Sequence, residues 1–326
     1  MSTPGPSRDT DLDIRSLRAF VAVAEELSFT RAAARLFIAQ QAISRAIRQL
    51  EERLGTPLFV RTTRQVTLTP EGQGLLVRAR HLVALHDQIV DDVQSPGRPI
   101  ILDLLSEGRQ TGPMILAAAR SEAPEVEFRG RYGGGVGAAI RLLQTAEIDV
   151  ALGRADWVRQ SLPAGIDRRL VRLEPLAVLL PAAHPLATRE QIPVAALAGL
   201  DIDVNPAHGD ALEWTDLARQ LLALAGAVAV PPHLPAVGTE NQSEHLTRQG
   251  IPILTGADHA PVPGGVVRPL VEPVPIYAWS IIRRRQLSRA ILAPIERAAM
   301  RLAEEHRWLD LPDGAWLPEP EASQAR

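Results

Sequence analysis

Four apolar residues, Ile43, Ile47, Leu50 and Leu54, stand four, three and four apart and stop at Gly55. That spacing gives a helix over 40–54 one buried side, and Gly55 suits a left-handed stop. Just before it, Ala32, Ala33 and Ala34 permit close packing in a second helix over 31–37, with Thr30 placed to cap it. Leu17, Phe20, Val21, Ala24 and Leu27 define a first helix, with Asp13 at its cap position. The break between the second and third helices is short. The pattern therefore predicts three small helices with a tight turn between the last two.

The next stretch, PLFVRTTRQVTLTPEG, changes period. Val60, Thr62, Val66, Thr67 and Leu68 favour strand, so a two-stranded hairpin should carry Arg61, Thr62 and Arg64 near its tip. Thr69 followed by Pro70 opens a long helix over 70–93. Along it Leu75, Leu82 and Ile89 recur every seven residues, as do Leu76, Val83 and Val90, with Ala79, His86 and Val93 following the first set. So wide a seam predicts packing against another helix, most simply a partner copy of the same helix. The alternative is packing on the chain's own winged domain. Residues 94–99 then read as a hinge.

Charge locates the chemistry. Residues 28–80 carry nine Arg and three acids in a chain of formal net charge −3, and there is no Lys. On the third helix Gln41, Ser44, Arg45 and Arg48 share one face, Gln40 leads it, and no acid occurs before Glu51. Arg, Gln and Ser are side chains that read base edges in the major groove. A solvated helix face has the same composition; its place after a tight turn favours recognition of double-stranded DNA. Arg31, Arg61 and Arg64 are then expected on phosphates or in the minor groove.

These residues also carry a family resemblance. From Leu17 to Gly74, the motifs SFTRAAARL, AISRAIRQLEERLG, PLFVRTTR and LTPEG closely resemble the DNA-binding domain of LysR-type transcriptional regulators. One departure stands at the head of the third helix. Many relatives open it with Ser and Gln-Pro; here it reads Ala39-Gln40-Gln41, and Ala39 cannot cap or touch a phosphate through its side chain.

Composition shifts at Pro96; 23 of the 27 Pro lie from there onward. Strands are expected at 100–105, 126–132, 148–152, 176–180, 251–254 and 274–283. Helices are expected at 113–121, 136–144, 211–224 and 288–306. The alternation predicts a doubly wound α/β region. EIDVALGR and RQGIPILTG resemble, more loosely, the family's two-lobed, periplasmic-binding-protein-like effector domain. The expected fold is thus α+β overall: a disordered start (1–13), a mostly α winged helix-turn-helix (14–69), a linker helix (70–93), a hinge (94–99), a two-lobed α/β effector domain (100–309) and a Pro-rich tail (310–326).

In such folds ligands sit between the lobes at strand C-terminal ends. This places Ser106, Arg109, Gln110, Thr111, Arg154, Asn205, Thr239, Glu240 and Asn241 near a cleft. The segment 106–111 precedes a helix N-terminus, and Arg109 and Arg154 add charge, so a small anionic effector is preferred; Glu240 argues for an amine or hydroxyl instead. The resemblance implies a homodimer or homotetramer on an interrupted palindrome, with RNA polymerase as a further partner.

Other functions find less support. The turn Gly133–Gly137 with Asp156 downstream imitates a dinucleotide-binding loop of an NAD(P)-dependent enzyme, but Ile140 fills its third position. No GxSxG elbow, P-loop or HExxH occurs, and zero Cys removes thiol chemistry. No catalysis, cofactor or metal is expected. A bare solute-binding protein leaves the basic segment unexplained and wants an export signal that MSTPGPSRDTDLD does not provide. A winged-helix regulator of another family requires a C-terminal half that is not two-lobed. With no apolar run of about 18 residues, no membrane partner is expected, and the chain reads as cytoplasmic.

Overall fold

The computed structural model describes residues 12–61, 65–94, 98–157, 162–204, 211–230 and 238–324. The chain divides into two units, 1–96 with 144–146, and 97–143 with 147–326.

In the first unit α1 (Ile14–Glu26), α2 (Phe29–Leu36) and α3 (Gln40–Leu54) precede a hairpin of β1 (Phe59–Arg61) and β2 (Val66–Leu68), then α4 (Pro70–Gln94). Asp13 caps α1, but the cap of α2 is Ser28, whose side chain accepts from the Arg31 amide. The helix thus starts before Thr30, the cap expected from sequence. Ala39 stands at the head of α3 with no side-chain cap bond. Ile43, Ile47 and Leu50 of α3 bury against Leu17, Phe20 and Val23 of α1 and Ala32 and Ala33 of α2. Phe59 closes this core, 5.4 Å from Phe20 and 6.0 Å from Phe29, ring to ring.

The start of α4 is held against the wing. Thr69 Oγ1 donates to the Pro57 carbonyl (2.9 Å) and accepts from the Gly72 amide (3.0 Å). Ala79 lies in the core of this same unit, so it is not part of a seam for a partner; Leu75 packs partly on that core. Leu82 and Ile89 remain 47% and 57% exposed. His86 is half-buried with Nδ1 3.2 Å from Asp87, which pairs with Arg18 of α1. The seam divides because α4 serves its own domain with one side.

The second unit contains β3 (Ile100–Asp103), α5 (Thr111–Glu122), β4 (Phe128–Arg131), α6 (Val136–Gln144), β5 (Val150–Gly153) and the 16-residue β6 (Ile166–Pro181). There follow β7 (Ile192–Pro193), β8 (Asp201–Ile202), α7 (Leu212–Ala225), β9 (Val228–Ala229), α8 (Gly238–Gln249), β10 (Ile253–Gly256), β11 (Gly265–Val271), β12 (Val274–Arg284), α9 (Arg289–Glu305) and β13 (Ala315–Trp316). The main sheet runs β4-β3-β5-β12-β6-β11-β7, with β10 also on β6 and β13 on β12.

Two lobes share this sheet. Ile166 to Pro175 of β6 pair with β12, and Leu176 to Pro181 pair with β10 and β11. The chain crosses between lobes along β6 and returns from β11 into β12. The strand expected at 176–180 is only the last third of this crossing strand. In β5, between β3 and β12, all four residues VALG are buried, as a covered strand demands. The Pro-rich tail, for which the sequence carries no structural expectation, returns to the sheet: Ala315 and Trp316 pair in parallel with Val274 and Pro275.

A methyl group at Gly72 would run into the Leu58 carbonyl oxygen, a backbone atom with no room to yield. Gly72→Ala should therefore destabilise the DNA-binding unit by about 1–3 kcal/mol. Urea melts followed by a probe in that unit check this; an unchanged midpoint contradicts the packing.

Candidate DNA-binding face and interlobe site

The face of α3 opposite Ile43 and Ile47 is open. Gln40, Gln41, Arg45 and Arg48 are exposed and Ser44 is half-buried. Gln40 Oε1 accepts a long bond from Thr30 Oγ1 (3.4 Å), which anchors its leading end. Arg45 and Arg48 have no ionic partner among the described residues. The other arginines differ. Arg31 pairs with Glu26, Arg35 with Glu25 at 2.6 Å, and Arg61 with Glu51 at 2.9 Å. Arg61 also lies over the Phe29 ring, 4.7 Å from its centre. Glu51 accepts the Leu58 amide at 2.9 Å as well, so it fixes both the turn and the wing arginine. The uncompensated positive charge of this face therefore belongs to α3. Thr62 and Arg64 lie outside the described residues, as does Asn205 in the second unit.

In the second unit Arg109 is buried between the lobes. Its guanidinium lies 5.2, 4.9 and 5.1 Å from the ring centres of Trp214, Tyr277 and Trp279. Nη2 donates to Glu174 Oε2, which also accepts the Trp279 indole N–H at 2.6 Å. Beside it Arg172 donates to Thr111 Oγ1 (2.8 Å) and Asp258 (2.6 Å). The loop carrying half-buried Ser106 and Gln110 meets the other lobe at Gly108, whose carbonyl accepts the Ala260 amide (3.1 Å). Gly256 has no side chain because Glu174 and Arg109 occupy the space where one would stand. Thr239, Glu240 and Asn241 fall in the first turn of α8, half-buried or exposed, rather than against Arg109.

Arg154, expected as an effector contact, is fully buried and fully used. Its Nε and Nη2 grip Glu321 at 2.5 and 2.7 Å. Nη1 donates to the Glu213 carbonyl (2.8 Å) and Asp216 (3.3 Å), and Nη2 also to the Glu319 carbonyl (3.3 Å). All five guanidinium N–H donors are thereby placed. Neither Arg109 nor Arg154 presents a free charge to an anion.

The glycine turn resolves in the same way. The Val136 amide at the head of α6 donates to Glu213 Oε1 (3.0 Å), and a side chain at Gly135 would meet that carboxyl. The position a pyrophosphate would need is taken by an internal acid. Sequence reasoning missed Glu174, Glu213 and Asp258; an acid inside the apolar strand LEPLAVLL was the available signal for the first.

Burial pushes Glu174 and Glu213 up to about 7, with Arg109 opposing the shift at the first and the Val136 amide at the second. A raised carboxyl favours the protonated folded state, so its stabilisation is present at acid pH and is lost as pH climbs through 7. Stability of the second unit should fall between about pH 4.5 and 7.5, and Glu213→Gln should make that fall shallower. Urea midpoints across this range test it; parallel profiles for the two proteins count against the assignment.

Comparison with known proteins agrees with this architecture. Residues 14–73 match the family described as bacterial regulatory helix-turn-helix protein, lysR family, and residues 106–303 match the LysR substrate binding domain. The chain is 32% identical over 194 residues to the uncharacterized HTH-type transcriptional regulator YnfL of Escherichia coli, covering 58% of this chain and 64% of that one. It is 31% identical over 226 residues to the HTH-type transcriptional regulator ShiR of Corynebacterium glutamicum, covering 67% and 74%. A full-length OxyR from Pseudomonas aeruginosa superposes with a TM-score of 0.60 at 22% identity, over 89% of this chain and 98% of that one. The chain belongs to the LysR family: it is a DNA-binding transcriptional regulator with an effector-binding domain, and not an enzyme.

Proposed function

We propose that α3 reads operator DNA through Gln41, Ser44, Arg45 and Arg48, and that a small molecule entering between the lobes at Arg109 modulates that binding. The carrying observation is the contrast between Arg45 and Arg48, exposed and without ionic partners among the described residues, and Arg31 and Arg61, already neutralised. A bidentate arginine on guanine contributes discrimination; a paired arginine on a phosphate contributes only position. Arg45→Ala should weaken operator binding by about 1–3 kcal/mol and relax selectivity at one base pair. Arg61→Ala should cost less and act alike on all sequences. Anisotropy titrations on an operator found by genomic footprinting check both, and equal affinity of wild type and an Arg45→Ala, Arg48→Ala double variant refutes the reading.

Assembly follows from α4. Leu82 and Ile89 present an apolar stripe, with His86 between them, after Ala79 has been spent on the intrachain core. A two-fold pairing of α4 covers this stripe and calls for an interrupted palindrome in the DNA. Two such dimers make the homotetramer that the family implies, with RNA polymerase as the downstream partner. Leu82→Glu should shift the protein to monomers in sedimentation. A wild type that sediments as a monomer at micromolar concentration excludes the model.

For the effector, a carboxylate competes with Glu174 for Arg109 between three aromatic walls. Burial raises the Glu174 carboxyl above its ordinary range, against the pull of Arg109. Trp214 and Trp279 border the site, so their fluorescence reports occupancy. Titration with carboxylates, amines and neutral aromatics tests the class; response to amines alone rejects it.

A further inference from the structure

The tail after α9 does more than end the domain. It turns at Pro312–Ala315, where the Pro312 carbonyl accepts the Ala315 amide at 3.1 Å. Gly314, at φ 70°, then passes its carbonyl to the Val274 amide at 2.9 Å. Ala315 and Trp316 add a short parallel strand to the head of β12, where the chain has just crossed between lobes.

The next residues reach α7 in the other lobe. The amide side chain of Gln220 holds Glu319 twice, accepting its N–H at 2.8 Å and donating to its carbonyl at 3.0 Å. Glu321 then places both carboxylate oxygens on the fork of Arg154, at the end of β5 in the first lobe. Three of the five contacts made by that guanidinium go to the tail, and the other two go to α7. Arg154 is 0% exposed and Glu321 only 7%, so the pair is seated inside the protein rather than lying on it.

An arginine fork with two parallel N–H groups is a receptor for one carboxylate. Here the chain supplies its own. We propose that residues 312–322 form a strap that seats Glu321 on Arg154 as a built-in carboxylate ligand, pinning α7 to the end of β5, and that a free carboxylate can take that seat when Glu321 is absent. The pin bears on the interlobe site directly. Glu213 and Trp214 stand beside Asp216 and Gln220 on α7; one supports the head of α6 and the other walls Arg109. This proposal holds whatever the effector is, and its failure leaves the regulator reading intact.

Hydrogen exchange on the full-length protein tests it. Glu321→Ala should speed amide exchange in peptides covering 150–157 and 212–225 by roughly tenfold or more, while exchange in 14–54 stays unchanged. Sodium acetate should restore slow exchange, and sodium chloride at matched ionic strength should not. The restoration should vanish in an Arg154→Lys, Glu321→Ala double variant, because an ammonium cannot hold a carboxylate through two parallel bonds. Gln220→Ala cuts the other grip with Arg154 and Glu321 both present, and should also speed exchange in 212–225. It decides the matter if loss of Glu321 unfolds the unit. Unchanged exchange in both single variants overturns the proposal. So does acceleration that acetate leaves untouched, and so does rescue that chloride or the double variant reproduces.

Discussion

Two buried guanidiniums set the terms for the effector-binding unit. Arginine does not escape burial by losing its proton, so each must find partners or unfold its surroundings. Arg109 finds Glu174 and three rings; Arg154 finds the carboxylates of Glu321 and Asp216 and the carbonyls of Glu213 and Glu319. None of these partners lies on the same element as its arginine, and those of Arg154 come from α7 of the opposite lobe and from the tail. The lobes therefore meet where charge requires it. The Tyr277 hydroxyl accepts the Arg154 amide while its ring stacks on Arg109, so one side chain touches both centres. Breaking either pair leaves an uncompensated buried charge, at a cost of about 3–5 kcal/mol.

The DNA-binding unit uses the same currency in the opposite way. Acids at positions 25, 26 and 51 take up Arg31, Arg35, Arg61 and Arg80, which fastens α2 and α4 to α1 and the wing to α3. Among the described residues of α3, Arg45 and Arg48 are left without an ion pair on its exposed face. Selectivity then rests on a few side chains held rigidly from behind by Ile43, Ile47 and Leu50.

Much of this was legible in the chain. The helix-turn-helix and its reading face followed from a 3.6-residue period and from the absence of acids before Glu51. The α/β alternation followed from short apolar runs between Pro-rich turns. What escaped notice has a common cause. The helix at Gly238–Gln249 buries Gln242, His245 and Leu246, so it has too few apolar residues to show a period. Glu174 lies 65 residues from Arg109, and Glu321 lies 167 from Arg154. Nothing local announces such pairs. The tail gives no local signal because Glu321 is a carboxylate in a polar run. Ala79 was assigned to a seam because a heptad does not say whose helix lies opposite.

Ala39 leaves the leading turn of the reading helix without the side-chain oxygen that usually closes it. The missing acceptor is of the kind a nucleic-acid backbone carries on every residue. A phosphate oxygen at that end would complete the helix, in the place where a serine would otherwise have completed it beforehand. Free and bound forms would then differ in the order of this first turn, and part of the affinity would be the free energy of finishing a helix. Such a contribution is indifferent to base sequence. It would tighten operator and bulk DNA alike, which leaves discrimination to the side chains one turn further along.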